Sequence, residues 1–352
     1  MNGNSAQVEK RVDLVLEGGG VKGVGLAGAL SALEEEGYQA QNVAGASAGA
    51  IIAALLAAGY TSNEIGKIIA GQDFNSFMDK GWEDRFPAPL SLPLSILKDQ
   101  GIYEGEYLLN LMKELLAAKN VHTFRDLIVP EFANDPKYKY KVQVIASDIT
   151  EKRMLVLPRD AGSLGLEPDD LGVAEAVRMS MSFPIFFEPY RVKNPKTNKE
   201  HLIVDGGLLS NFPIWLFDSD GKPEWPTFGL RLVEEDNKVS LGERLPILSF
   251  ADKALDPIIG YVMDLVSTAL EAHDRLYIES DNFARTIPIP TLGVSTLDFK
   301  LSTDKTDALF QSGRSAAQKF LATWDFDHYV STFRSGATHS RRDDLVEKMS
   351  KD

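Results

Sequence analysis

An α/β fold built on a parallel sheet is predicted by three features of the opening residues. A short apolar segment over 12–16 runs into a glycine cluster, a leucine-rich helical repeat follows over 23–36, and the pattern then restarts. The restart is a second strand over 41–44, a tight turn of small residues, and an apolar helix over 48–58. Strand, glycine turn, helix, repeated once, is how a parallel α/β sheet begins.

Each element has its own local reason. Residues 12–16 are apolar and β-prone, and the glycines after them end the strand. In 23–36, Leu26, Leu30 and Leu33 recur at helical spacing, and Gly37 supplies a stop. The 48–58 helix is apolar nearly all round, so it is expected to be buried. From 72 to 105 the period is lost: Phe74, Phe77, Trp82, Phe86 and several leucines alternate with Pro87, Pro89 and Pro93. Residues 74–97 read either as a packed loop or as a lid of aromatics and prolines. Helical texture resumes over 106–118, a strand is expected over 140–146, a helix over 173–181 and a short strand over 202–204 before Asp205. Residues 193–199 have the Asn, Pro and Lys content of a hairpin tip. Further on, Ile258, Val262, Val266, Leu270 and His273 share one helical face, and another helix is predicted over 306–322. There is no repeat and no low-complexity linker. The expected organisation is a catalytic core over 12–217, an extension over 218–335 packed on the same domain, and flexible tails at 1–10 and 336–352.

Composition narrows the function. The 352 residues carry a formal net charge of −14, which argues against a nucleic-acid partner and against long-range attraction to an anionic membrane. The absence of cysteine removes disulfides, thiolate metal sites and cysteine nucleophiles. Residues 1–11 are polar, without the apolar core of a secretion signal. The longest apolar run, 50–58, is about half of what a membrane span needs. A cytoplasmic protein, with at most peripheral membrane contact, is expected.

Three motifs carry chemistry. Gly45-Ala46-Ser47-Ala48-Gly49 has the nucleophile-elbow pattern, with small neighbours two residues either side of a serine on a strand-to-helix turn. Gly18-Gly19-Gly20-Val21-Lys22-Gly23 can turn successive backbone N–H groups toward one concavity at a helix start. It reads as an oxyanion hole, a dinucleotide loop or close packing. A dinucleotide loop needs an acid at the end of the following strand, and Ser47 stands there instead, which favours the oxyanion hole. Asp205-Gly206-Gly207 places a carboxylate at a strand end with no side chains to keep a second loop away. Alone it is more often a turn than a base.

Together, and in this order, the three motifs resemble the patatin-like lipid acyl hydrolases. Arg178-Met179-Ser180-Met181-Ser182-Phe183-Pro184 looks like that family's helix and turn beside the active site. The resemblance implies a three-layer α/β/α sandwich with a mostly parallel central sheet. It also implies a Ser–Asp dyad, with Ser47 as nucleophile and Asp205 as base, and backbone N–H groups of Gly18, Gly19, Gly20 and Val21 around the oxyanion. Lys22, Gly23, Gly45, Gly49, Gly206 and Gly207 would support these motifs. No cofactor and no metal are expected, and the substrate would be a phospholipid or another acyl ester. A histidine triad is not indicated: four residues at about 3.3 Å rise hold His201 roughly 13 Å from Asp205. His273 reads as a core residue. Lys22 reads equally as a solvated lysine and as a cation near the oxyanion or a lipid phosphate.

Overall fold

The computed structural model describes residues 10–71, 101–234, 280–294 and 301–334. The first strand, β1 (Lys10–Leu16), leads through a 3-10 turn at Gly20–Lys22 into α1 (Gly23–Glu35). Then follow β2 (Tyr38–Ala46), α2 (Ala48–Ala57) and α3 (Ser62–Gly71). The middle of the chain supplies β3 (Gly101–Tyr103), α4 (Glu106–Ala117), β4 (Val142–Asp148), β5 (Arg153–Leu157) and α5 (Val173–Ser180). Next come β6 (Ile185–Phe187), β7 (Tyr190–Lys193), β8 (Glu200–Asp205), the single turn α6 (Gly207–Ser210) and β9 (Thr227–Val233). The last elements are α7 (Ser280–Ala284), β10 (Thr286–Pro290), α8 (Thr303–Leu321) and α9 (Phe326–Phe333).

The main sheet runs β10-β9-β1-β2-β4-β8-β7, with β5 paired to β4 as its eighth strand. From β10 to β4 the neighbours are parallel, whereas β5, β8 and β7 join antiparallel. The sheet is therefore mixed, with the parallel part made by the strand–helix repeat that the sequence announces. β9 and β10, from beyond the recognisable motifs, extend that same sheet on the other side of β1.

Strand alternation divides the apolar residues between two layers. Leu14, Leu16, Val43 and Val144 pack with Leu26, Leu30, Ile52 and Leu55 of the helical layer. Val15, Ala44 and Ile145 pack on the opposite face against Phe212, Ile214, Trp215, Leu216 and Phe217. α1 and α8 cross at backbone distance: a Cβ on Gly28 would fall on the Phe310 carbonyl and one on Gly313 on the Gly25 carbonyl.

One detail of register decides where chemistry can occur. β5 occupies one edge of β4 from Val144 to Asp148. β2 and β8 therefore share the other edge end to end: Ala46 lies opposite Ile145, and Asp205 lies opposite Ala146. Because β2 runs parallel to β4 and β8 antiparallel, their C-terminal ends meet head-on. Ser47 and Asp205, 158 positions apart in sequence, become neighbours.

Candidate active site

Ser47 sits between β2 and α2 with φ 51° and ψ −129°, a left-handed conformation that a residue with a side chain rarely adopts. Such a backbone costs about 1–3 kcal/mol and persists only when its surroundings hold it. Two observations show what holds it. A Cβ on Gly45 would collide with the Gly49 carbonyl, and one on Gly49 with the carbonyls of Leu16 and Glu17, so the turn closes only with glycine at both places. The Ser47 N–H donates to Ser180 Oγ at 2.8 Å, and the Ser47 carbonyl accepts the Ala50 N–H at 2.8 Å. The side chain makes no helix cap and is left for other work.

That side chain donates from Oγ to Asp205 Oδ2 at 2.7 Å, with Met181 Sδ 3.6 Å from the same oxygen. Asp205 is 2% exposed. Its Oδ1 accepts the Gly207 N–H at 2.8 Å, and its own N–H donates to the Ser182 carbonyl at 2.9 Å. The Gly206 N–H donates to the Ser180 carbonyl at 3.2 Å. Among the described residues no lysine, arginine or histidine pairs with Asp205. Burial accordingly pushes its carboxyl up from 3.8 to about 7, against the smaller opposing pull of the Ser47 hydroxyl and the Gly207 N–H. A carboxylate with that affinity for a proton, in contact with a serine hydroxyl, is suited to general-base work near neutral pH.

The glycine loop lies against this pair. A Cβ on Gly18 would meet Asn211 Oδ1 and, at 2.9 Å, Ser47 Cβ. Gly18 departs from the expectation for an oxyanion donor: its N–H is committed to the Asn211 carbonyl at 3.3 Å, and Asn211 Nδ2 returns a bond to the Gly18 carbonyl at 3.2 Å. The N–H groups of Gly19, Gly20 and Val21 meet no acceptor among the described residues, at the head of the 3-10 turn that feeds α1. The end of β9 braces the loop, since Glu17 accepts the Leu232 N–H and lies 3.7 Å from Arg231 Nε.

Lys22 is not the solvated lysine of one of its two sequence readings. Its side chain is 9% exposed and its ammonium pairs with Glu234 at 3.2 Å, because the loop folds onto the end of β9. Gly23 begins α1 and, with Gly20, Ala48, Ile51, Ile69 and Leu111, lines an apolar pocket between α2, α3 and α4. His201 is buried and binds Asp148 Oδ2 through Nδ1 at 2.8 Å, while His122 and His328 are exposed. Residues 74–97, the helical face over 258–273 and His339 lie outside the described residues.

Motif reading did not single out Ser180, Asn211 or Glu234 as individual residues. Ser180 lies within the 178–184 segment, but nothing local shows that its hydroxyl faces Ser47. Asn211 and Glu234 carry no sequence signal at all.

Known proteins agree with this architecture. The family model for patatin-like phospholipase matches residues 14–218. An uncharacterized protein of Bacillus subtilis, YqhO, is 38% identical over 315 residues, covering 90% of this chain and 99% of its own. A probable lipid hydrolase of Invertebrate iridescent virus 6, 463L, is 26% identical over 204 residues, 57% of this chain and 61% of its own. In fold the chain is similar to VipD from Legionella pneumophila, with a TM-score of 0.54 at 20% identity, covering 99% of this chain and 74% of VipD. With the family model spanning more than half the chain and a relative aligned along nearly all of it, this protein belongs to the patatin-like phospholipase family.

Proposed function

We propose that the protein hydrolyses fatty-acyl esters of phospholipids, as a phospholipase A or lysophospholipase, through a dyad of Ser47 and Asp205. The observation that carries this reading is the 2.7 Å bond from Ser47 Oγ to a buried carboxylate with no cationic partner among the described residues. Ser47 Oγ attacks the ester carbonyl carbon while its proton passes to Asp205 Oδ2. The negative charge on the carbonyl oxygen is met by the N–H groups of Gly19, Gly20 and Val21, with the start of α1 adding its favourable dipole. Collapse of the tetrahedral species expels the alcohol, which takes the proton back from Asp205. Water, deprotonated by Asp205 in turn, then attacks the acyl carbon and releases the fatty acid, and the departing Ser47 Oγ takes its proton back from Asp205. In this reading Gly18 is a close-packed spacer that lets the loop approach Ser47.

The apolar pocket between α2, α3 and α4 is lined at one end by Gly20 and Ala48, and its volume of about 50 Å³ has room for no more than the first groups of an acyl chain. With a net charge of −14, contact with a membrane would rest on apolar groups rather than on charge.

The deciding experiment has two parts. A fluorophosphonate probe should label the wild type and leave Ser47→Ala unlabelled. Mass spectrometry of a mixed phospholipid extract treated with the protein should show fatty acid and lysophospholipid appearing together. Labelling that persists in Ser47→Ala would remove Ser47 from the reaction. Labelling without lipid products would redirect the substrate to simpler esters.

A further inference from the structure

Ser180 closes α5 and is fully buried. Its hydroxyl oxygen accepts the Ser47 N–H at 2.8 Å, and its carbonyl accepts the Gly206 N–H at 3.2 Å. A single residue thus touches the turn that carries the nucleophile and the turn that carries the base. We propose that Ser180 is a positioning residue for hydrolysis, whose hydroxyl holds Ser47 in the strained backbone conformation that aims Oγ at Asp205. The proposal rests on the dyad described above.

The Ser47 N–H lies past the end of β2 and ahead of the first full turn of α2, so neither ladder supplies it with an acceptor. The left-handed backbone at Ser47 has to be held by its surroundings. Ser180 Oγ meets both needs with one bond. Removing that oxygen leaves a buried N–H without its partner and lets the turn relax toward an ordinary backbone, which swings Oγ away from Asp205.

The holder is itself held. Arg178 Nη1 donates to Ser182 Oγ, and Arg178 Nη2 donates to the carbonyls of Glu104 and Glu188. The Ser182 carbonyl receives the Asp205 N–H, so 178–182 presents carbonyls to two successive amides of the Asp205 turn. Ser180 therefore sits on a braced segment that already sets the position of the base. Its hydroxyl extends that reference to the nucleophile.

The test compares Ser180→Ala with Ser31→Ala, which removes a buried hydroxyl bonded to the Gly28 carbonyl within α1, away from the dyad. On a short, water-soluble ester, Ser180→Ala should lower kcat about 10- to 100-fold and leave KM within about twofold, since misplacement by about an ångström has that effect on rate. Fluorophosphonate labelling of Ser47 should slow by the same factor, while Ser31→Ala keeps its kcat. A kcat for Ser180→Ala equal to that of Ser31→Ala, or a loss carried by KM, would overturn the proposal. Should Ser180→Ala fail to accumulate, Ser180→Thr and Ser180→Cys decide. Threonine keeps the accepting oxygen and should outperform cysteine, a weak acceptor; equal or reversed activities would count against the role. Full turnover in Ser47→Ala would instead sink the dyad. An inactive Ser47→Ala beside a normal Ser180→Ala would remove only the positioning role.

Discussion

Asp205 and Asp218 are both buried aspartates, 2% and 4% exposed, yet their surroundings are opposite. Asp218 accepts both arms of the Arg285 guanidinium and a further bond from Arg334, and both arginines are buried with it. Asp205 has a hydroxyl and an amide for company, and no cation among the described residues. A buried carboxylate bonded by two guanidiniums ties chain segments together, here the end of the 214–217 turn to the segments carrying α7 and α9. A buried carboxylate facing only neutral donors holds its charge poorly, and its proton can be exchanged with a neighbouring hydroxyl. The residue type is the same; the partners separate a fastener from the base proposed for the dyad.

The widest separation between the two should appear in activity. Ser47→Ala and Asp205→Asn are each expected to lower kcat on an acyl ester by about 10³-fold or more while the fold survives, because nucleophile and base act as a unit in the proposed dyad. Near-normal turnover in Asp205→Asn would break the contrast.

Asp218→Ala should do the reverse. It leaves Arg285 and Arg334 buried without their carboxylate, at a cost of about 3–5 kcal/mol in stability. A urea denaturation midpoint would read this, and the folded fraction should still label at Ser47. A variant as stable as the wild type would show that the cluster is not a fastener.

A smaller effect concerns pH. With the Asp205 carboxyl held at about 7, the base is protonated below that value, so kcat/KM should climb about tenfold per pH unit on the acid side and level off above about 7. A rising limb centred near 4 would mean that burial does not perturb Asp205.

The last effect is on stability, and its sign follows from the raised value of Asp205. The folded-state value for Asp205 is raised above 3.8, so its contribution is fully present below 3.8 and is lost as pH rises through about 7. Asp205→Asn should therefore be more stable than the wild type at pH 8, on the order of 1–3 kcal/mol, and nearly equal to it at pH 4. Asp13, buried in β1 and likewise pushed up to about 7 by burial, titrates with the same sign in both proteins and drops out of the difference. Thermal midpoints at the two pH values suffice. A destabilised Asp205→Asn at pH 8 would contradict the sign.

Legibility along the chain followed how local each element's cause is. The helices over 23–35, 48–57 and 106–117 came within a residue or two of their predicted ends, because apolar spacing and flanking glycine act within a few positions. The hairpin of β7 and β8 was readable from its turn residues at 193–199. β10 was not: Thr286-Ile287-Pro288-Ile289-Pro290 has two prolines, which argue against a strand anywhere except at a sheet edge. Among the described residues it pairs only with β9, on one side, which makes it that edge. β5 was hidden for a related reason, since five residues between two turns gain strand character only by lying along β4.

For the site, the sequence by itself determined what small residues dictate at short range: a serine on a sharp turn after a strand, a glycine loop before a helix, an aspartate followed by two glycines. Steric requirements of that kind are written within about five neighbours. Tertiary structure alone decided that β2 and β8 end head-on along one edge of β4, which brings Ser47 to Asp205. It also decided that the Asn211 carbonyl takes the Gly18 N–H, that Glu234 takes Lys22, and that the Ser180 hydroxyl faces the Ser47 amide. These depend on strand register and on which groups lose their water, and both are set by residues far away in the chain.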